Sequence, residues 1–196
     1  RFQHQPCYAH LLGRNCRRDD VQQQIFVEMA DKRGRSGGEV QNLQVSLKGP
    51  GDYASQADRK AEEIIYNELS RARPGYSFLM EEGGSVEGDD GQHRWIIDPL
   101  DGTTNFLHGI PIFSISIGLE RQGQLIAGVI FNPAMDELYT AERGGGAFLN
   151  DRRMRVAGRN KLVDCVIGTG IPHLGRGNHG QALTDLRKMM AETSGI

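Results

Sequence analysis

Residues 95–106, Trp-Ile-Ile-Asp-Pro-Leu-Asp-Gly-Thr-Thr-Asn-Phe, constrain what this chain can fold into more than any other stretch. His93 to Ile97 reads as a short apolar strand that delivers two carboxylates, Asp98 and Asp101. Pro99 fixes its own φ, and Gly102 permits a sharp turn, so both acids are expected on one side of the chain. Thr103 then opens a predicted short helix, Thr104 to His108, whose first N–H groups suit an anion such as phosphate. Strand ends hold such residues rigidly, which is why ligand sites gather there.

A second acidic cluster, Glu81-Glu82, also follows a short apolar run, Tyr76 to Met80, and leads into a glycine-rich loop, Gly83 to Gly91. Neither cluster contains His or Cys. An all-oxygen donor set favours Mg²⁺ over zinc. A plainer reading stays open on the residues alone. Asp-Gly is a common turn dipeptide, and Glu-Glu before Gly-Gly suits a surface loop.

The pattern around these clusters is that of a layered α+β fold. Lys48 to Asp52 reads as a turn. A helix is predicted from Ser55 to Ala72, with Ala57, Ala61, Ile64, Ile65 and Leu69 as its apolar stripe and Ser55 with Asp58 as a weak capping box. Residues 112–149 read as an antiparallel meander, with turns at Gln122-Gly123 and Asn132-Pro133. Cys165 to Gly170 reads as a later strand with Cys165 in the core. Gln181 to Glu192 reads as a helix with Leu183, Leu186, Met189 and Met190 on its apolar face. Residues 170–181 read as a mobile surface loop exposing His173 and His179. Trp95 is expected to anchor its strand, and Ser85 to lie in the acidic loop.

Composition narrows the function classes. The 196 residues suffice for one domain or somewhat more, and 26 glycines imply many tight turns. A net charge of −2 gives no basic field for nucleic acid, so no such partner is expected. The longest apolar stretch, Ile110 to Leu119, is too short and too interrupted to span a membrane. Three irregularly spaced cysteines imply a reducing, cytoplasmic setting. Residues 1–39 read as a divergent or disordered segment before a domain over residues 40–196. Val21 to Ala30 could form a short helix there, and His4, Cys7, His10 and Cys16 lack zinc-ligand spacing. The first residue is Arg1 rather than Met, which implies a start missing or altered.

Residues 95–106 strongly resemble the signature of the inositol monophosphatase family. Glu81-Glu82 resembles that family's Glu-Glu metal motif, and Ala57-Asp58-Arg59-Lys60 its helix-borne aspartate. The resemblance runs from about Gly38 to Glu192. It implies a Mg²⁺-dependent, lithium-sensitive phosphomonoesterase, commonly a homodimer, with an alternating α/β/α/β/α sandwich that is here truncated after the first large antiparallel sheet. By the same resemblance Glu81, Asp98, Asp101 and the Leu100 carbonyl are metal ligands. Glu82 holds a water beside them. Asp58 and Thr103 pair through a hydrogen bond and orient the attacking water. Leu100, Asp101, Gly102 and Thr103 form the substrate-binding segment, in which Gly102 and Thr103 offer N–H groups to phosphate. Lys48 resembles a family lysine at the site entrance.

Two departures bear on function. The family's further metal-binding aspartate follows a tryptophan, and here none of Asp136, Asp151, Asp164 or Asp185 does. Met80 stands where glycine is expected before the glutamate pair. An impaired form that binds Mg²⁺ or phosphate, or serves as a dimer partner, is therefore the alternative to an active phosphatase. Fructose 1,6-bisphosphate and a 3′-phosphoadenosine nucleotide are the alternative substrates to inositol monophosphate.

Overall fold

A computed structural model of the chain describes residues 45–49, 52–172 and 177–196. Expectations for residues 1–39, including the helix at 21–30, lie outside the described residues, as do His173 and Gly175. The chain divides into two compact units. Of the described residues, one unit holds Val45, Ser46 and Ala54–Met154, and the other holds those of Leu47–Tyr53 and Arg155–Ile196.

Strands β1 (Val45–Gly49) and β2 (Asp52–Ser55) pair as a two-stranded sheet. Lys48 and Asp52 therefore lie in strands rather than in the turn itself. Helix α1 (Gln56–Ala72) follows. Its buried face is the predicted stripe of Ala57, Ala61, Ile65 and Leu69, with Ile64 half-buried at its edge. Two acids, Asp58 and Glu62, are buried on the same face. They are one turn apart, so a single side of the helix carries both apolar packing and charge.

The first unit is built on one mixed sheet. Its strands are β3 (Ser77–Met80), β4 (Gly84–Val86), β5 (His93–Asp101), β6 (Ser114–Arg121), β7 (Gln124–Asn132), β8 (Glu137–Glu142), β9 (Gly146–Leu149) and β10 (Arg152–Arg153). The order across the sheet is β10-β9-β8-β7-β6-β5-β3-β4. The meander from β6 onward is antiparallel as expected. Gln122 and Gly123 both have positive φ (50° and 78°), the turn geometry that matches strand twist. Pairing of β3 with β5 is parallel, which the local pattern did not reveal. The acidic loop also differs from expectation. Gly84 to Val86 folds back as β4 on β3, so Ser85 lies in a strand. A short strand there uses the edge of β3 that a loop would leave unpaired.

The core joins α1 to the sheet through Phe78, Trp95, Ile97 and Leu119. Trp95 is 1% exposed and is the strand anchor expected.

The second unit departs further from the sequence pattern. Cys165 to Gly170 is not a strand. Only Val166 makes a bridge, with Gly195. Cys165 is half-buried rather than in a core, and its thiol donates to the Lys161 carbonyl at 3.3 Å. The apolar run has no neighbouring strand to complete a ladder among the described residues, so pattern alone did not make it one. Helix α3 of this unit spans His179–Glu192, so residues 179–181 are helical rather than loop. Asn178 caps it by accepting from the Gln181 N–H at 3.0 Å. Ala182, Leu186 and Met189 are half-buried, whereas Leu183 and Met190 of the predicted apolar face are exposed.

Candidate active site

Asp98 and Asp101 are held by a bulge within β5 rather than by a turn after it. The strand runs on through Asp101, correcting the expectation that it ends at Ile97. Asp98 pairs with Ser116 and Asp101 with Ser114, so three steps on β5 oppose two on β6. Residues three apart in a regular strand point to opposite faces. The extra residue cancels that alternation and brings both aspartates to the face shared by Ser114 and Ser116. Pro99, lacking an N–H, suits this irregular step. Pro99 and Leu100 are then both buried.

Parallel pairing supplies the third carboxylate. Met80 pairs with Ile97, so Glu81 follows β3 at the level where Asp98 follows Ile97. Asp98 shares a side-chain hydrogen bond with Glu81 and feels the charges of Glu81 and Asp101. Burial first, then Glu81, push its carboxyl up to about 6, against the Leu100 N–H that donates to Asp98 Oδ1 at 3.1 Å.

Gly102 follows with φ 88° and ψ 35°, and helix α2 (Thr103–Leu107) starts directly after it. A Cβ on Gly102 would stand 3.0 Å from the Ile112 carbonyl and 3.3 Å from Phe113 Cα. Glycine is therefore required there for both conformation and space. The facing segment is held by two asparagines. Asn105 Nδ2 donates to the Ile112 carbonyl at 2.7 Å, and Asn132 Nδ2 donates to the Pro111 carbonyl at 3.3 Å.

The predicted pair of Asp58 and Thr103 is present. Thr103 Oγ1 lies 3.4 Å from Asp58 Oδ1 and 3.1 Å from the Leu100 carbonyl, so one hydroxyl proton has two acceptors. Asp58 is 2% exposed. Glu82 sits next to Glu81, and its N–H donates to Glu62 Oε2 at 2.8 Å. Glu62 was not singled out from sequence. The signal for it was an acid four residues after Asp58 on the apolar face of a helix. Met80 does not crowd the turn, because Gly83 leaves room for its Cε.

The structure thus gathers Glu81, Asp98 and Asp101, and separately joins Leu100, Thr103 and Asp58. Among the described residues, no three His, Cys, Asp or Glu side chains converge as a ready-made metal cluster. Asp98 is instead hydrogen-bonded through its side chain to Glu81. The donor chemistry fits a hard divalent cation, since the set is all oxygen and its mutual repulsion is what a cation relieves. Loading such an ion requires Asp98 in its ionised form.

This predicts an unusual pH response of the metal-free chain. The folded-state value of Asp98 is raised, so the stability it contributes is full below about 3.8 and is lost as pH rises through about 6. Asp98→Asn should therefore raise the melting temperature at pH 7 by about 2–4 °C. That corresponds to about 1 kcal/mol, because solvent screens this half-buried carboxyl below its full linkage value. At pH 4 the two proteins should melt together. A melting curve at each pH checks this, and no gain at pH 7 refutes it.

Residues 20–193 match the model of the inositol monophosphatase family. An inositol-1-monophosphatase of Mesorhizobium japonicum is 74% identical over 176 residues, covering 88% of this chain and 66% of that protein. One of Rhizobium meliloti is 67% identical over the same shares. The crystal structure of the extragenic suppressor protein suhB from Bartonella henselae matches with 64% identity and a TM-score of 0.80, covering 90% of this chain and 67% of that one. The chain thus spans about two-thirds of the length of the curated relatives it matches. No described helix is long and apolar enough to cross a membrane. With its signature residues seated on the bulged strand and its fold shared with solved members, this chain belongs to the inositol monophosphatase family.

Proposed function

We propose that this chain acts as a Mg²⁺-dependent phosphomonoesterase, converting inositol monophosphate and water to inositol and phosphate. The observation that carries this reading is that Asp98 meets Glu81 and Asp101 while the next turn of chain bonds the Thr103 hydroxyl to buried Asp58. The names of its relatives favour inositol phosphate over the alternative substrates. In this reading Glu81, Asp98, Asp101 and the Leu100 carbonyl hold the cation. When bound, it supplies charge neutralisation and Lewis acidity at the phosphate. Thr103 and Asp58 orient a water. Its proton passes through the Thr103 hydroxyl toward Asp58 as its oxygen bonds to phosphorus, and the bond to the inositol oxygen breaks as that oxygen takes a proton from solvent water. Gly102 and Thr103 face the phosphate with N–H groups. A second copy of the chain is the proposed partner, and the cytoplasm the proposed setting.

Thr103→Val keeps the shape and removes the hydroxyl, and it should lower kcat by about 10²–10⁴-fold, the range of a positioned proton acceptor. Thr103→Ser should retain most activity. Initial rates of the two variants check this, and equal rates for Val and Ser would remove Thr103 from the chemistry.

The pairing of Asp98 with Glu81, which leaves no three-carboxylate cluster among the described residues, favours one second reading, a chain that binds Mg²⁺ or phosphate too loosely for turnover. Phosphate release from inositol 1-phosphate, with and without Mg²⁺, separates the two. Mg²⁺-dependent release supports the phosphatase. Mg²⁺-induced stabilisation without release supports the binding form.

A further inference from the structure

We infer that Glu62 is a positioning residue for the acidic turn Glu81–Gly83. The inference rests on the cation site proposed above. Glu62 lies on α1 and is 6% exposed. Its Oε2 accepts the Glu82 N–H at 2.8 Å across twenty positions of sequence. Its Oε1 lies 3.0 Å from where a Cβ on Gly83 would stand, and the Met80 methyl lies 3.0 Å from the same point. Gly83 thus leaves the space beside the turn that Glu62 and the Met80 methyl occupy.

Glu81 lies just past β3, which ends at Met80, so the ladder stops before the residue whose aim matters most. The Glu62 bond takes over at Glu82 and sets the direction of the backbone on both sides of that amide. The Glu81 side chain leaves this same segment to reach Asp98. Burying a carboxylate close to other acids costs stability, and packing alone gives no reason to keep one there. Asp58 and Glu62 stand one helical turn apart, the first bonded to Thr103 after β5 and the second to Glu82 after β3. One face of α1 therefore aligns the two carboxylate-bearing segments with each other.

The test compares the full chain with Glu62→Ala and Glu62→Gln, reading Mn²⁺ affinity by calorimetry, amide exchange at Glu82 by NMR, and melting temperature. In Glu62→Ala the Glu82 amide should exchange at least about tenfold faster, and Mn²⁺ affinity should fall by about 10–100-fold, the range for residues that orient ligands. Glu62→Gln keeps an oxygen that accepts the same bond and should restore both. Should Glu62→Ala fail to fold, Glu62→Asp, one methylene too short, takes its place. A folded Ala or Asp variant with wild-type Mn²⁺ affinity overturns the inference, as does a folded Gln variant that rescues neither readout. A wild-type chain that binds no Mn²⁺ defeats the proposed function. It overturns the positioning role with it, leaving a protected Glu82 amide as a purely structural bond.

Discussion

Asp101→Asn is expected to lower Mg²⁺-dependent phosphate release by at least about 100-fold while leaving the melting temperature within about 2 °C of wild type. Asp101 is exposed at the end of β5, and asparagine has nearly the same shape. Little packing is lost, and exposed substitutions typically change stability by no more than about 0.5 kcal/mol. The charge is what matters. In the proposed site a divalent cation would lose one of its three carboxylate ligands and the electrostatic attraction that goes with it. The same substitution removes one of the two like charges acting on Asp98, whose carboxyl should then titrate lower. Initial rates at saturating Mg²⁺, measured beside melting curves, decide the matter. An active, folded Asp101→Asn chain would mean that the bulged strand does not carry the cation.

Gly88→Ala has the largest expected effect on stability, a loss of about 3 kcal/mol and a melting temperature lowered by roughly 6–12 °C. A Cβ there would stand 2.2 Å from the Gly75 carbonyl oxygen and 2.5 Å from the Tyr76 carbonyl carbon. Both are backbone atoms, so no side-chain rotation relieves the clash. The loop would have to lift, breaking the bond from the Gly88 N–H to Ser77 Oγ at 3.1 Å and that from the Asp90 N–H to the Gly75 carbonyl at 2.9 Å. Each such bond contributes about 1 kcal/mol, and the strain adds to that. This loop joins β4 to β5, so its displacement loosens the strand that carries Asp98 and Asp101. Gly158→Ala is the control, because nothing lies within 4 Å of its added Cβ. If the two variants melt alike, the close crossing at Gly88 is absent in solution.

Much of the first unit was legible in the sequence. The stripe of Ala57, Ala61, Ile65 and Leu69 repeats at helical spacing, and the helix forms with that face buried. Gln122-Gly123 and the alternation around it foretold the meander, because turn chemistry and period-two burial are local properties. The second unit was harder to read. Cys165 to Gly170 is apolar enough for a strand, but a strand needs a neighbour. The exposure of Leu183 and Met190 shows the same limit for α3.

At the candidate site the division is sharper. Sequence by itself determined which residues are the candidates: Glu81, Glu82, Asp98, Asp101 and Thr103 in their order and spacing, with Asp58 on a helix. It also offered Gly102 as a turn residue, and the positive φ and the close approach of Ile112 then require glycine there. Tertiary structure decided how these residues meet. The bulge that turns Asp98 and Asp101 to one face exists only in register with β6. The parallel pairing that sets Glu81 beside Asp98 exists only between β3 and β5. The buried acids Asp58 and Glu62 acquire their partners across forty-five and twenty positions. Spacing along a chain dictates local conformation because its causes lie within a few residues. Register and long-range bonds depend on which strands and helices come to lie together, and folding alone settles that.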